Sequence, residues 1–444
     1  MKPEHDPNEV SWISRLKQWF AGRKELRYAG LVTLATVSAQ VMLLLTAPLL
    51  ARIYTPADFG HLTLLLTSST IGGSVASFCY HFVILLPRSN RVAAAAYRLS
   101  MYASLIGSAL ATGIYWLIVP VESRAFGSMP IWVDLALIYA GILSTSVFNI
   151  LGTVHSRASQ YKSVAVSKFS VSFFPTITQI TFGFLPIKSV GLQLGRLLGV
   201  IMTCIAMSVN LPKNFTICSL LHFRLAEIRL VAWRYRDSIL HVPRELLMRA
   251  GTGLPPALLL AYYDAAAAGY YFFAERLVER PGLLLSDALT RIPMKIFAEN
   301  LQKKKPVVKL ALIYTVLCTV IVTSCISIIV FGGKWLFGLL FGSAWVDAAD
   351  YATALAIGAG VRISILPVAA LVPVFRIQRY VVVLDAIFFA RVLVIPAAAS
   401  LGYSAVVAVG VFAAVTVVYN VATFAIAIAA GIKYERGIKA KTGE

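Results

Sequence analysis

The most informative segment for chemistry is an otherwise apolar run that carries a stripe of charge, GYYFFAERLVERPGLLLSDALTR. On a helix with about 100° between residues, Glu275, Arg276, Glu279, Arg280 and Asp287 share an arc of about 140°. Charged side chains are costly in hydrocarbon, so this face is expected either to line a hydrated cavity or to form salt bridges that hold helices together. The arginines suit an anionic cargo, because their planar fork matches the oxygens of phosphate and pyrophosphate.

A second polar stripe lies in the apolar segment just before the first. His241, Glu245, Arg249 and Thr252 fall within about 80° of one another on a helix. The Pro255–Pro256 pair follows at once. Proline removes a backbone donor, so a kink or break of this helix is expected near the middle of the membrane.

Further ionisable residues stand within apolar runs elsewhere in the chain. Arg362 and Arg391 lie in the C-terminal half. Arg196 stands almost alone in the N-terminal half, with Lys168 near a membrane edge. His81 either titrates or hydrogen-bonds cargo, or it is a packing histidine. The predicted cargo-binding set is Arg249, Arg276, Arg280, Glu245, Glu275, Glu279, Asp287, Arg362, Arg391, Arg196 and His81.

Motifs for enzymatic chemistry are missing from the sequence. It contains no Walker A sequence, no HExxH or GxSxG, and no Cys/His cluster with metal-ligand spacing. The Asp347–Asp350 pair could bind a cation, but a solvated loop is the favoured interpretation. The connections predicted to face outside are short, whereas a membrane enzyme that builds glycans there usually needs a large ordered loop. We therefore expect a protein with no catalytic residues, no metal and no cofactor.

The elements that position these residues are membrane-spanning helices. The chain has 444 residues, of which 59% are hydrophobic and 14% charged, against about 25% charged in soluble domains, and its mean hydropathy is +0.78. One span needs roughly 20 apolar residues. The fold class is thus predicted as all-α integral membrane, with about twelve spans in two six-helix lobes around a central cavity. The apolar segments are 29–50, 60–84, 97–119, 132–152, 165–185, 189–210, 239–262, 267–289, 308–331, 352–374, 380–399 and 403–430.

The distribution of basic residues predicts the orientation. With the N-terminus inside, 29 Lys and Arg fall in the inner segments and four in the outer connections, as the positive-inside rule requires. The net charge of +20 is therefore attributed to the membrane surface and not to nucleic acid. Both termini are predicted to be cytoplasmic. The predicted organisation is an amphipathic N-terminal segment (1–28), a first lobe (29–210), a basic linker (211–238), a second lobe (239–430) and a tail (431–444).

The two predicted lobes share a weak internal repeat. The stretch LLARIYTPADFGHLTL ends the first span and opens the second, and LLLAYYDAAAAGYYFF ends the seventh and opens the eighth. Tyr54 and Gly60 align with Tyr263 and Gly269 at a constant offset of 209 residues. Repeats at equivalent places in two halves are typical of transporters.

Two segments carry a resemblance to a known family. RIYTPADFGHLTLLLTSS, followed by YHFVILLP, resembles the first helical pair of bacterial polysaccharide (O-antigen-type) flippases, and AYYDAAAAGYYFFAERLVERPGLLLSDALTRI resembles the segment that opens their second lobe. These flippases belong to the multidrug/oligosaccharidyl-lipid/polysaccharide exporter superfamily. The chain departs from the family at Cys79 and His81, where members often carry charged residues around the tyrosine.

The resemblance implies the fold, the cargo and the location. Members have two six-helix bundles around a central cavity in the bacterial inner membrane. They move undecaprenyl-pyrophosphate-linked oligosaccharide repeats from the inner to the outer leaflet by alternating access, for lipopolysaccharide O-antigen or exopolysaccharide synthesis. Candidate partners are the lipid bilayer, a polysaccharide polymerase and chain-length regulators.

The predicted function is therefore a lipid-linked oligosaccharide flippase. In the mechanism that we predict, Arg249, Arg276 and Arg280 neutralise the pyrophosphate, and the polyprenyl tail stays in a groove between the lobes. Two alternatives remain open. One is a small-molecule/cation antiporter of the same fold, and the other is a membrane-embedded polysaccharide polymerase or glycosyltransferase.

Overall fold

A computed structural model describes residues 24–119, 130–186, 188–220, 225–303, 305–375, 377, 384 and 388–442. The predicted amphipathic segment up to residue 23 and the position of Lys304 lie outside these ranges, as do the side chains of Arg280 and Asp287. All regular secondary structure in the described ranges is helical. The principal helices are α1 (Lys24–Ile53), α2 (Pro56–Val75), α3 (Asn90–Ile118), α4 (Ile131–Arg157), α5 (Tyr161–Gly183), α6 (Lys188–Val209), α7 (His241–Tyr262), α8 (Ala265–Gln302), α9 (Val308–Phe341), α10 (Ala348–Ala369), α11 (Val394–Ser400) and α12 (Ala405–Thr442).

Each of the twelve predicted apolar segments overlaps one of these helices, the segment 380–399 only in its C-terminal part, since most of residues 380–387 lie outside the described ranges. Within the described ranges, seven helical stretches are long and apolar enough to cross a membrane. The other helices are shorter or carry more charge, as α7 and α8 do at their stripes. The all-helical membrane fold is confirmed, and the number of twelve spans stays a prediction.

Helix packing in the first six helices repeats in the last six. Among the first six, α1 packs on α5, α5 on α6, α2 on α4, α3 on α4 and α4 on α6. Among the last six, α7 packs on α11, α11 on α12, α8 on α10, α9 on α10 and α10 on α12. Adding six to both helix numbers of each pair in the first set gives the corresponding pair in the second set. We call α1–α6 the first lobe and α7–α12 the second lobe; they meet mainly where α2 packs against α7 and α8.

Helix ends also match between the lobes. The Thr55 side chain accepts a hydrogen bond from the backbone N–H of Asp58 and caps α2. The Asp264 side chain accepts one from the N–H of Ala267 and caps α8. Both pairs are related by the offset of 209 residues, so the repeat extends to the N-caps that begin the two central helices.

The predicted second span differs from the observed one at its C-terminal end. Helix α2 ends at Val75, and Phe78 and Cys79 then adopt positive φ angles of 50° and 61°. Residues in the left-handed region end a helix, so the chain turns there and continues as the short helix Tyr80–Val83. His81 therefore lies on a separate turn and not on the continuous span that hydropathy predicts.

The linker carries a helix that is bound to the first lobe. This linker helix (Leu225–Arg234) packs on α3. Its Glu227 accepts charge-assisted hydrogen bonds from Arg91 and Arg98 of α3, each with an Nη2 to oxygen distance of 2.8 Å. The linker helix is therefore expected to move with the first lobe.

Candidate functional site

A polar cavity of about 340 Å³ lies between the lobes and is lined by α1, α2, α5, α6 and α8. Three basic residues line it: Lys168 of α5 and Arg196 of α6 from the first lobe, and Arg276 of α8 from the second. None of the described residues that line it is acidic. We call it the basic cavity. Its cationic lining suits an anionic ligand.

Backbone carbonyl groups hold both guanidinium groups at the cavity wall. Arg196 Nη1 donates a hydrogen bond to the carbonyl oxygen of Val171 at 3.2 Å. Arg276 Nη2 donates one to the carbonyl oxygen of Leu43 at 3.4 Å. These hydrogen bonds hold both guanidinium groups at the wall of the basic cavity.

A stripe on α5 forms one wall of the basic cavity. Lys168, Ser172, Thr176 and Gln179 line it at spacings of four, four and three residues, and Gln40 of α1 lines it as well. None of these five residues belongs to the predicted cargo-binding set. The sequence contains a signal for these residues, because a polar stripe with helical periodicity inside an apolar helix indicates a face that contacts water. Serine, threonine and glutamine side chains can bond sugar hydroxyls.

The predicted stripe on α7 forms an ion pair. Arg249 Nε lies 3.5 Å from Glu245 Oε2, one helical turn away, and about half of the Arg249 side chain is exposed. His81 lies within electrostatic range of Arg249. It is buried, and its Nδ1 lies 2.7 Å from the hydroxyl oxygen of Ser77. These contacts favour the packing interpretation of His81.

The stripe on α8 has two separate roles. Arg276 lines the basic cavity, whereas Glu279 pairs with Arg362 of α10, with Oε2 and Nη1 3.3 Å apart. Glu275 is half-buried and lies within electrostatic range of Tyr271 in the second lobe. The salt-bridge and cavity interpretations therefore each describe part of the same helix.

Arg391 is a buried cation in the second lobe. Its guanidinium carbon lies 3.7 Å from the ring centre of Phe388 and 4.3 Å from that of Phe412, and its Nη1 donates to the hydroxyl of Thr416. Aromatic faces stabilise a buried guanidinium group. Arg391 does not line the basic cavity, so its contacts favour a structural role.

The repeat glycines bring the lobes together at the end that the charge distribution assigns to the outside. A Cβ atom on Gly60 would lie 1.9 Å from the carbonyl oxygen of Ala265, and one on Gly269 would lie 1.9 Å from that of Pro56. The two contacts are related by the same offset of 209 residues. We call this reciprocal approach of α2 and α8 the glycine seam.

Trp345 reinforces the seam from the connection between α9 and α10. The indole is fully buried, and its Nε1 donates a hydrogen bond to the carbonyl oxygen of Ala51, at 2.8 Å, in the first lobe. Its ring packs edge-on against Phe59 of α2 and lies 4.4 Å, centre to centre, from Phe273 of α8. This end of the inter-lobe contact is therefore closed by apolar packing.

Comparison with solved structures shows the fold. The chain is similar to the lipid II flippase MurJ in an inward closed conformation, with a TM-score of 0.63 and 12% identity over 92% of this chain and 90% of that one. It is also similar to the inward-facing conformation of a multidrug resistance MATE family transporter of the MOP superfamily, with a TM-score of 0.56 and 14% identity over 92% of each chain.

Sequence comparison gives the family. No curated protein matches the chain in sequence. The family model for "Polysaccharide biosynthesis protein" matches residues 49–350, well over half of the chain, and begins at the segment that carries the first resemblance. The family model confirms the predicted resemblance to a polysaccharide biosynthesis family, and the flippase and transporter structures share the fold of the chain. This multi-pass membrane protein belongs to the polysaccharide biosynthesis protein family.

Proposed function

We propose that the protein is a flippase that moves undecaprenyl-pyrophosphate-linked oligosaccharide repeat units from the inner to the outer leaflet by alternating access. The observation that carries this proposal is the basic cavity. Cations from both lobes meet there, and none of its described lining residues is acidic. A pyrophosphate diester matches this lining in charge and in hydrogen-bonding geometry. The polar side chains of α1 and α5 suit the first sugars.

The division of the cations between the lobes suggests how affinity changes during transport. Lys168 and Arg196 belong to the first lobe, and Arg276 belongs to the second. When the lobes rock apart, Arg276 moves away from the other two cations, and the anion loses part of its stabilisation. Binding that differs between two states is what a conformational cycle requires. In this cycle the glycine seam opens to release cargo outside.

The two rival functions make different use of the same features. A cation antiporter needs a compact acidic site, whereas the described lining of the basic cavity is positively charged. A polymerase or glycosyltransferase forms a glycosidic bond, whereas a flippase forms no new bond.

Purified protein in liposomes that contain a fluorescent undecaprenyl-pyrophosphate oligosaccharide should move it across the bilayer without changing its mass. A change in its mass, or no movement across leaflets, would contradict the proposal.

The location and orientation are part of the same proposal. We place the protein in the bacterial inner membrane with both termini cytoplasmic, beside a polysaccharide polymerase and chain-length regulators as partners. The excess of Lys and Arg on one side supports this orientation.

Thiol labelling of intact cells tests the orientation. In a variant that lacks the native cysteines, Asp347→Cys should react with a membrane-impermeant reagent, because it lies in an outer connection, and Lys303→Cys should react only after lysis. Both side chains are exposed, so access to the aqueous phase decides the result. The reverse pattern would invert the topology.

A further inference from the structure

Helix α5 carries polar side chains on two opposite faces. The face that lines the basic cavity consists of Lys168, Ser172, Thr176 and Gln179. On a helical wheel, the mean direction of Ser163, Ser167 and Ser170 lies about 170° from that face. These three serines line a separate pocket of about 190 Å³, whose other walls are α6 and the end of α4. We call it the serine pocket.

The inner wall of the serine pocket is made of buried polar side chains. Ser167 and Ser170 are 3% and 7% exposed, and His155 is fully buried. The ring nitrogens of His155 lie 2.7 Å from Gln160 Oε1 and 3.1 Å from the carbonyl oxygen of Met207, so the ring joins the end of α4 to the end of α6. A concave wall with a few fixed polar groups suits a ligand that also carries polar groups.

The mouth of the pocket lies at the end that the charge distribution assigns to the cytoplasm. Lys162 and Ser163 belong to the first turn of α5, and Asn210 directly follows α6. Ammonium, hydroxyl and amide groups all donate hydrogen bonds that phosphate oxygens accept. None of the described residues that line the pocket is acidic, so Lys162 gives the mouth a net positive charge.

The pocket also opens sideways toward the bilayer. Val166 lines it and is 61% exposed, and Ile205 and Val209 beside it on α6 are 61% and 77% exposed. Apolar exposure of this kind on spanning helices faces lipid tails. From Lys162 to Ser170 the pocket extends about 12 Å along α5. The head-group layer of one leaflet is about 5–7 Å thick, so the pocket reaches from the head groups to the first part of the hydrocarbon.

We propose that the serine pocket binds the head group of an anionic phospholipid of the cytoplasmic leaflet, of the phosphatidylglycerol class. Lys162 neutralises the single negative charge, the serines bond the glycerol and ester oxygens, and the acyl chains lie over Val166. Phosphatidylethanolamine fits less well, because its ammonium group meets no carboxylate among the described lining residues. The bound lipid is not the cargo, so this inference does not depend on the proposed function. It supports α5, whose opposite face lines the basic cavity.

Native mass spectrometry of the delipidated full-length protein, with phosphatidylglycerol or phosphatidylethanolamine added, tests the site. The parent should retain one phosphatidylglycerol several-fold more tightly than phosphatidylethanolamine. Lys162→Glu should weaken that retention several-fold, and Lys162→Gln should weaken it less. An acidic residue in the first turn favours a helix, so α5 should still form. Lys309→Glu is the matched control, because Lys309 is likewise an exposed second residue of its helix, α9, but lies in a groove with Glu435.

Thermal unfolding gives a second readout of the same site. Phosphatidylglycerol should raise the Tm of the parent and of Lys309→Glu and leave that of Lys162→Glu unchanged, because a ligand stabilises only the form that binds it. Equal retention of both lipids by the parent, or the same loss of retention in Lys162→Glu and Lys309→Glu, would overturn the inference. Displacement of the lipid by excess inorganic phosphate would also overturn it, since the ligand would then be a soluble phosphate.

Discussion

Alanine in place of Gly60 should open the outer end of the protein and abolish polysaccharide export. In an ordinary helix, this substitution stabilises by up to about 1 kcal/mol. At Gly60 the added Cβ atom would lie 1.9 Å from the backbone oxygen of Ala265, so α2 and α8 must separate. Backbone displacement of this kind typically costs about 1–3 kcal/mol or more, and it also pulls Trp345 away from Ala51.

Thiol access measures this opening independently of export. Ala51 is buried behind Trp345, so Ala51→Cys should be protected from an impermeant reagent in the parent protein and reactive in the Gly60→Ala variant. Gly113→Ala is the matched control, because Gly113 also lies within a helix but has no atom within 4 Å of an added Cβ. Normal export and continued protection in Gly60→Ala would show that the seam does not hold the outer end closed.

The sequence is most informative where the two lobes repeat. The offset of 209 residues alone pairs Tyr54 with Tyr263 and Gly60 with Gly269. It does not predict the reciprocal contact between α2 and α8, because a repeat indicates that two segments are similar and not that they are in contact. The contribution of Trp345 is not predictable for a related reason. It follows α9 in a short connection, and only tertiary packing brings it to Ala51 of the first lobe.

The site is predicted only in part, because helical periodicity gives directions and not partners. The arc on α8 correctly places Arg276 and Glu279 on a polar face, yet one lines the cavity and the other pairs with Arg362. Arg196 stands isolated in the sequence because its neighbours in space, Lys168 and Arg276, lie on other helices. Hydropathy also predicts a continuous second span, since it does not detect the positive φ angles that end α2.

The structure therefore changes which arginine is expected to carry the largest effect on transport. Arg249 pairs with Glu245 one helical turn away, and the side chain of Arg280 lies outside the described residues, so both stay predicted cargo ligands. Arg276, for which the sequence favours scaffold and cargo roles equally, lines the basic cavity with Arg196.

The Arg196→Ala, Arg276→Ala double variant should reach the membrane at normal levels and export no polysaccharide. Restoring Arg276 as lysine should rescue export only in part, since an ammonium group lacks the bidentate fork.

Arg362 provides the contrasting control, because its partner is a carboxylate of the protein itself. Arg362→Ala leaves Glu279 without its cation, so it should lower thermal stability in detergent, by less than the roughly 3–5 kcal/mol of a fully buried pair, as both side chains are partly exposed. Adding Glu279→Ala should recover part of that loss, as a double-mutant cycle requires of a direct pair. The Arg196→Ala, Arg276→Ala double variant should instead show no flipping in liposomes, because both side chains line the basic cavity. Full export by their double variant would remove both arginines of the basic cavity from the mechanism, because transport would then not depend on either guanidinium group.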